Sequence, residues 1–191
     1  MTEPMLEPIF DNACYKVLAI FSVSPGSRFK RNEIKEKTKL NNVTLDKALI
    51  KLNNCNILGI ENNYYRINFE SENAKKVIEM VIKQYVGLKE LPINVFLLII
   101  DLTESLSTIR KIEVYLFGSY SKLIYREKSD VDIAVLLPSD NVKFDFDKLS
   151  QKLEKIYGKR VEIHDFDKVK FYDNKDDPLV SDILRNGVRL L

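Results

Sequence analysis

The chain has 191 residues, of which 45% are hydrophobic and 30% charged, with a formal net charge of +2. This is the composition of a globular protein with room for one ordinary domain or two small ones, and it excludes a disordered one. The longest apolar run, Val95 to Ile100, is too short to span a bilayer. The acidic start, Met1 to Glu7, lacks the basic residues and apolar stretch of a signal peptide, so a cytoplasmic protein without membrane contact is expected.

The first predicted helix begins at Asp11 and carries Cys14, Val17, Leu18 and Phe21 at helical spacing until Ser24-Pro25-Gly26-Ser27 ends it. Lys30 to Lys37 forms a second, shorter helix with Ile34 as its buried residue. Asn42 is expected to cap a third, from about Val43 to Asn54, whose apolar stripe is Leu45, Ala48, Leu49 and Leu52. Thr44, Lys47 and Lys51 project from its other faces. The segments Ile57 to Ile60 and Tyr64 to Asn68 flank Glu61-Asn62-Asn63, a hairpin turn in which asparagine tolerates positive φ. Cys14 and Cys55 stand far apart in apolar contexts and read as small buried side chains rather than a disulfide or zinc site.

Three helices followed by a hairpin resemble a winged helix-turn-helix domain over roughly residues 9 to 70. In that arrangement the third helix reads the major groove and the wing touches the backbone. The resemblance implies duplex DNA as a partner, contacted by Asn41, Thr44, Lys47 and Lys51, with Arg66 on the wing. Residues 1–90 hold a surplus of three cations, which permits nucleic-acid contact without demanding it. Asp46 and Glu61 lie among those cations, so a dimerisation or partner-binding module is the competing reading.

A helix from Glu72 to Val86 follows, with Ala74, Val77, Ile78, Val81 and Ile82 on one face. Gly87 to Pro92 reads as the boundary between domains 1-88 and 89-191, and Pro92 opens a helix to about Ser107. Beyond it the pattern predicts strand 112–117, strand 130–136, helix 145–157, strand 160–164 and a terminal helix near 178–186. This is an α/β domain on a small mixed sheet flanked by helices (α+β for the whole chain).

Most of the functional information lies in Leu116 to Ser121 and Ser129 to Val135. A buried strand leads into a Gly118-Ser119 turn, and a second strand bears Asp130 and Asp132 on one face. Neighbouring carboxylates repel one another unless a cation lies between them, and hard oxygen ligands suit Mg²⁺. Glu162 and His164 share one face of the strand from Lys159 to His164, so Glu162 completes an acidic triad if the two strands are adjacent. Asp130 and Asp132 would bridge the metals, and Glu162 would bind the catalytic metal and help to deprotonate an attacking hydroxyl. His164, the chain's one histidine, reads as a polar neighbour of Glu162 or an exposed strand residue.

These residues resemble the minimal nucleotidyltransferases of the DNA polymerase beta superfamily, over roughly residues 92 to 191. Ten residues, Tyr120 to Ser129, separate Gly118-Ser119 from Asp130, which is that family's usual spacing. The segment Pro178 to Val188 is similar to the family's closing helix and glycine. The resemblance implies transfer of a nucleoside monophosphate, AMP foremost, from ATP or another nucleoside triphosphate to a hydroxyl. Two Mg²⁺ ions would be held by Asp130, Asp132 and Glu162, and the nucleotide by Gly118, Ser119, Ser121 and Lys122. One departure stands out: Ser121-Lys122-Leu123 replaces the common Ala-Arg-Gly, and Leu123 removes a glycine's freedom near the phosphates.

The acceptor implied is a small molecule or a protein hydroxyl, and some such proteins are antitoxins acting on a helical HEPN-class toxin. A second copy of the chain, giving a homodimer, is a further partner this reading admits. A DNA-binding regulator that only senses nucleotide, or an antitoxin that only binds its partner, are the alternatives to an enzyme.

Overall fold

The computed structural model describes residues 5–85, 88, 90–138 and 142–191. The chain divides into two compact units, Met1–Leu97 and Leu98–Leu191. The sequence-based end of the Glu72 helix at Val86, and the boundary at Gly87 and Lys89, lie outside the described residues.

The first unit runs α1 (Asn12–Val23), β1 (Phe29–Lys30), α2 (Arg31–Thr38), α3 (Asn42–Asn54), β2 (Leu58–Glu61), β3 (Tyr64–Ile67) and α4 (Glu72–Tyr85). Asp11 starts α1 by accepting a hydrogen bond from the Cys14 amide at 2.7 Å, satisfying a donor that no helical carbonyl can reach. Every residue from Val17 to Ser22 is buried, and α3 and α4 pack on α1. The stripe Leu45, Ala48, Leu49 and Leu52 is buried as its spacing requires. Cys14 and Cys55 are buried and free.

One boundary moves. Asn41, not Asn42, caps α3, its Oδ1 accepting from the Thr44 amide at 2.9 Å. Either asparagine can cap, and the choice falls on the one with extended backbone, since a cap must lie outside the helix. Asn62 and Asn63 both have positive φ, 50° and 64°, as a two-residue hairpin turn of matching twist needs. β1 pairs with the other edge of β3, Phe29 opposite Tyr65, giving an antiparallel sheet of order β1-β3-β2. A two-residue strand carries no periodicity, so only its pairing reveals it.

α5 (Ile93–Leu106) runs through the division between the units. The second unit continues with β4 (Glu113–Phe117), α6 (Gly118–Ser121), β5 (Val131–Leu137), α7 (Phe146–Tyr157), β6 (Val161–Asp167), α8 (Lys168–Asp173), α9 (Pro178–Asn186) and β7 (Val188–Arg189). Its sheet has the order β6-β5-β4-β7, with β5 and β6 parallel and the other pairs antiparallel. The central strand β5 is buried at every position except Asp132, as expected of a strand covered on both faces.

Alternation sorts the sheet into two faces. Tyr115, Phe117, Ala134 and Leu136 form one, packed with Phe171 of α8 and Val180 and Ile183 of α9. Val131, Ile133 and Val135 form the other, fully buried. α7 joins β5 to β6, and such a crossover is what a parallel pair requires. α8 and β7 are additions to the sequence-based elements. Gly187 permits β7: its amide closes α9 on the Ile183 carbonyl, and a Cβ there would lie 2.4 Å from that oxygen. The chain can then reverse tightly and pair Val188 with Leu116. No described helix is long and apolar enough to cross a membrane.

Candidate active site

Parallel pairing sets Asp132 directly beside Glu162, so both carboxylates leave the same face of the sheet. Phe117, the last residue of β4, faces Asp132 from the other side, which brings the turn at Gly118 over that carboxylate. Gly118 has φ +69°, and a Cβ on it would fall 2.1 Å from Oδ2 of Asp132. Only glycine tolerates both the left-handed backbone and that approach.

The turn is tied down from within. Ser121 Oγ donates to the Gly118 carbonyl at 3.1 Å, and the Ile124 amide to the Ser119 carbonyl at 3.0 Å. Lys122 makes a 2.8 Å ion pair with Asp182 of α9, which holds the Asp182 carboxyl below its ordinary value. Leu123 adopts φ 58°, the left-handed conformation for which a glycine would be favoured.

Asp130 precedes β5. The Arg126 amide donates to Ser129 Oγ at 2.8 Å, and the Ser129 amide returns to the Arg126 carbonyl, closing a turn that delivers Asp130 to the strand end. Arg160, two residues before Glu162 and on its face, places one guanidinium nitrogen 2.8 Å from Glu162 Oε1 and another 3.6 Å from Asp130 Oδ2. It therefore links the outer two acids. Asp132 has no ion-pair partner among the described residues. Burial raises its pKa, the Glu162 carboxylate adds to the rise, His164 opposes it less strongly, and Asp130 adds the smallest share.

Asp132, Glu162 and His164 offer ligand atoms that all lie within 4.8 Å of one another. This donor set, half-buried and deprived of a counter-charge at its centre, fits a divalent cation. Sequence alone makes His164 only a polar neighbour of Glu162 or an exposed strand residue, and gives Arg160 and Asp182 no part in the site. For the first two the signal was parity with Glu162 along one strand. For Asp182 there was none, because its meeting with Lys122 depends on how α9 folds back.

The residues expected to meet DNA are less uniform. Lys47 is exposed, while Asn41 spends its carbonyl on the α3 cap. Thr44 supplies the capped amide. Lys51 is engaged by Asp11, the α1 cap, at 2.6 Å. Arg66 lies 3.2 Å from Glu61, which Arg28 also approaches at 3.6 Å. Arg31 is bound to Asp46 at 2.7 Å. Two of the expected cations are thus partly neutralised by acids of the same unit.

None of the curated proteins matches the chain. A solved structure described as "Crystal structure of the toxin-antitoxin with AMP-PNP" is 28% identical over 49% of this chain and 70% of its own, with a TM-score of 0.36. Residues 99–190, which contain the carboxylate row and the Gly118 turn, match the family model of the nucleotidyltransferase domain.

Proposed function

We propose that the second unit transfers a nucleoside monophosphate, AMP from ATP foremost, to a hydroxyl on another molecule and releases pyrophosphate. The observation that carries this reading is the alignment of Asp132 with Glu162 beneath a glycine turn that touches Asp132. A divalent cation (Mg²⁺ in the family resembled, two ions expected) held by Asp130, Asp132 and Glu162 would supply charge neutralisation for the triphosphate when bound.

The chain's own groups take the remaining roles. Amides of Gly118 and Ser119 face the phosphates, with Ser121 holding the turn closed by its bond to the Gly118 carbonyl. Lys122 neutralises phosphate charge by exchanging Asp182 for it. Glu162 accepts the acceptor's proton at a carboxylate oxygen. Asp130 and Glu162 are each about a third exposed, so the acceptor approaches from solvent. A protein hydroxyl suits such an open site, and an antitoxin modifying a helical toxin is the setting we favour.

The first unit is proposed to be a winged helix-turn-helix that binds duplex DNA through α3 and the β2–β3 hairpin. The order of its helices and its three-stranded sheet support this reading. Binding should weaken as salt rises, and Lys47→Ala should reduce the salt slope.

A second reading is kept by two specific observations, the left-handed Leu123 and the Lys122–Asp182 pair. Both leave the phosphate side of the site less open than glycine and a free cation would. On that reading the unit binds nucleotide as a signal without transferring it. The deciding experiment supplies α-labelled ATP and Mg²⁺ with a candidate partner, beside calorimetric titration of a nonhydrolysable ATP analogue. Label on the partner, lost in Asp132→Asn, supports the transferase. Binding without label supports the sensor, and neither would reject both.

A further inference from the structure

His164 lies on the same face of β6 as Glu162, one step further along the strand. Its Nε2 is 3.9 Å from Glu162 Oε2, too long for a hydrogen bond. Its ring meets Phe117 edge-on at 5.6 Å between centroids, which orients the imidazole beside the carboxylates. Arg160 reaches Glu162 and Asp130, whereas Asp132, between Glu162 and the Gly118 turn, has no cation against it among the described residues. The group that lacks a counter-charge is therefore within reach of both His164 and Glu162, the three ligand atoms lying within 4.8 Å of one another.

We propose that His164 supplies a nitrogen ligand to a divalent cation shared with Asp132 and Glu162, and that this makes the site prefer Mn²⁺ over Mg²⁺. Mg²⁺ is a hard ion that takes oxygen and dehydrates reluctantly. Mn²⁺, also an oxygen binder, belongs to the first-row series whose other members take imidazole, and it accepts a nitrogen ligand more readily than Mg²⁺ does. Replacing one oxygen donor by nitrogen therefore shifts selectivity even though Mn²⁺ is the weakest binder of that series. The inference rests on the carboxylate site proposed above but not on transfer taking place.

The chain contains a single histidine, so any imidazole signal from untagged protein has one source. The test titrates full-length protein with Mn²⁺ and with Mg²⁺ by calorimetry, without nucleotide. Pulsed electron paramagnetic resonance of the Mn²⁺ complex then looks for coupling to an imidazole ¹⁴N. Wild type should bind Mn²⁺ at least about tenfold more tightly than Mg²⁺ and show the coupling. Since changes behind metal ligands already cost about 10–100-fold, His164→Ala and His164→Gln should each lose at least about tenfold in Mn²⁺ affinity while Mg²⁺ affinity moves far less.

No ¹⁴N coupling in wild type, or Mn²⁺ affinity unchanged in both variants, would overturn the proposal and leave His164 as a packed strand residue. The coupling measurement needs no variant, so a misfolded substitution cannot mask the answer. Transfer supported by Mg²⁺ in the absence of ¹⁴N coupling would leave the transferase reading intact and remove this one. Coupling without any transfer would do the reverse.

Discussion

An alanine at position 118 would place its Cβ 2.1 Å from Oδ2 and 2.9 Å from Cγ of Asp132 while holding φ +69°. The left-handed backbone alone costs on the order of 1–2 kcal/mol, and the carboxylate must rotate out of line with Glu162. Gly118→Ala is therefore expected to lower the unfolding midpoint and to weaken metal-dependent nucleotide binding by more than that loss of stability accounts for. Thermal melts beside calorimetry check it, and binding unchanged in a folded variant would mean that Asp132 is not a ligand. Leu123 shows the opposite choice, a bulky residue kept in the conformation glycine prefers, 44% exposed.

At the scale of the element, the start of α3 tests how closely a cap can be read. Asn41 and Asn42 are chemically identical, but only Asn41 receives the Thr44 amide, at 2.9 Å. Asn41→Ala should cost about 1 kcal/mol and Asn42→Ala much less, measured by urea unfolding. Equal losses would place the cap elsewhere. The same helix carries the proposed DNA face, so the loss of Asn41 should also weaken DNA binding. Lys51 and Arg66 are expected to matter less to DNA than Lys47, because Asp11 and Glu61 already stand against them.

At the scale of the whole molecule, two carboxylates of the second unit titrate in opposite directions. Glu113 is buried on β4 at the end away from Gly118, and burial alone would raise its pKa. Hydrogen bonds from Lys168, Tyr172 and Tyr115 outweigh that and hold it down at about 2, from an ordinary 4.5. A depressed carboxylate stabilises the fold above its unfolded value, and that contribution is lost as pH falls from 4.5 towards 2. The amount is on the order of 3 kcal/mol. Acid unfolding in that window should flatten in Glu113→Gln, which also lowers stability at pH 7. An unchanged acid limb would remove Glu113 from the account. Asp132 works against folding instead: its raised pKa means that ionising it costs more in the folded chain than out of it. The one carboxylate is satisfied by its own chain, and the other is not.

What the sequence determined by itself follows from local chemistry. Hydrophobic period placed the α1 and α3 stripes and the strands that became β4 and β5, since side-chain direction follows from backbone repeat alone. The asparagine pair announced the hairpin turn because positive φ is a property of single residues. Parity along each strand put Glu162 and His164 on one face. The tertiary structure decided everything that depends on which strands are neighbours. Parallel pairing of β5 with β6 set Asp132 beside Glu162, and pairing of β4 with β5 brought Gly118 onto Asp132. Folding back of α9 gave Lys122 its partner Asp182, and β1 and β7 exist only through their pairing with β3 and β4. Lys51 and Arg66, expected at DNA, have Asp11 and Glu61 set against them, and only packing supplies those acids. Charge along a sequence is local, but the field at a site is a sum over neighbours in space, and only the fold chooses those neighbours.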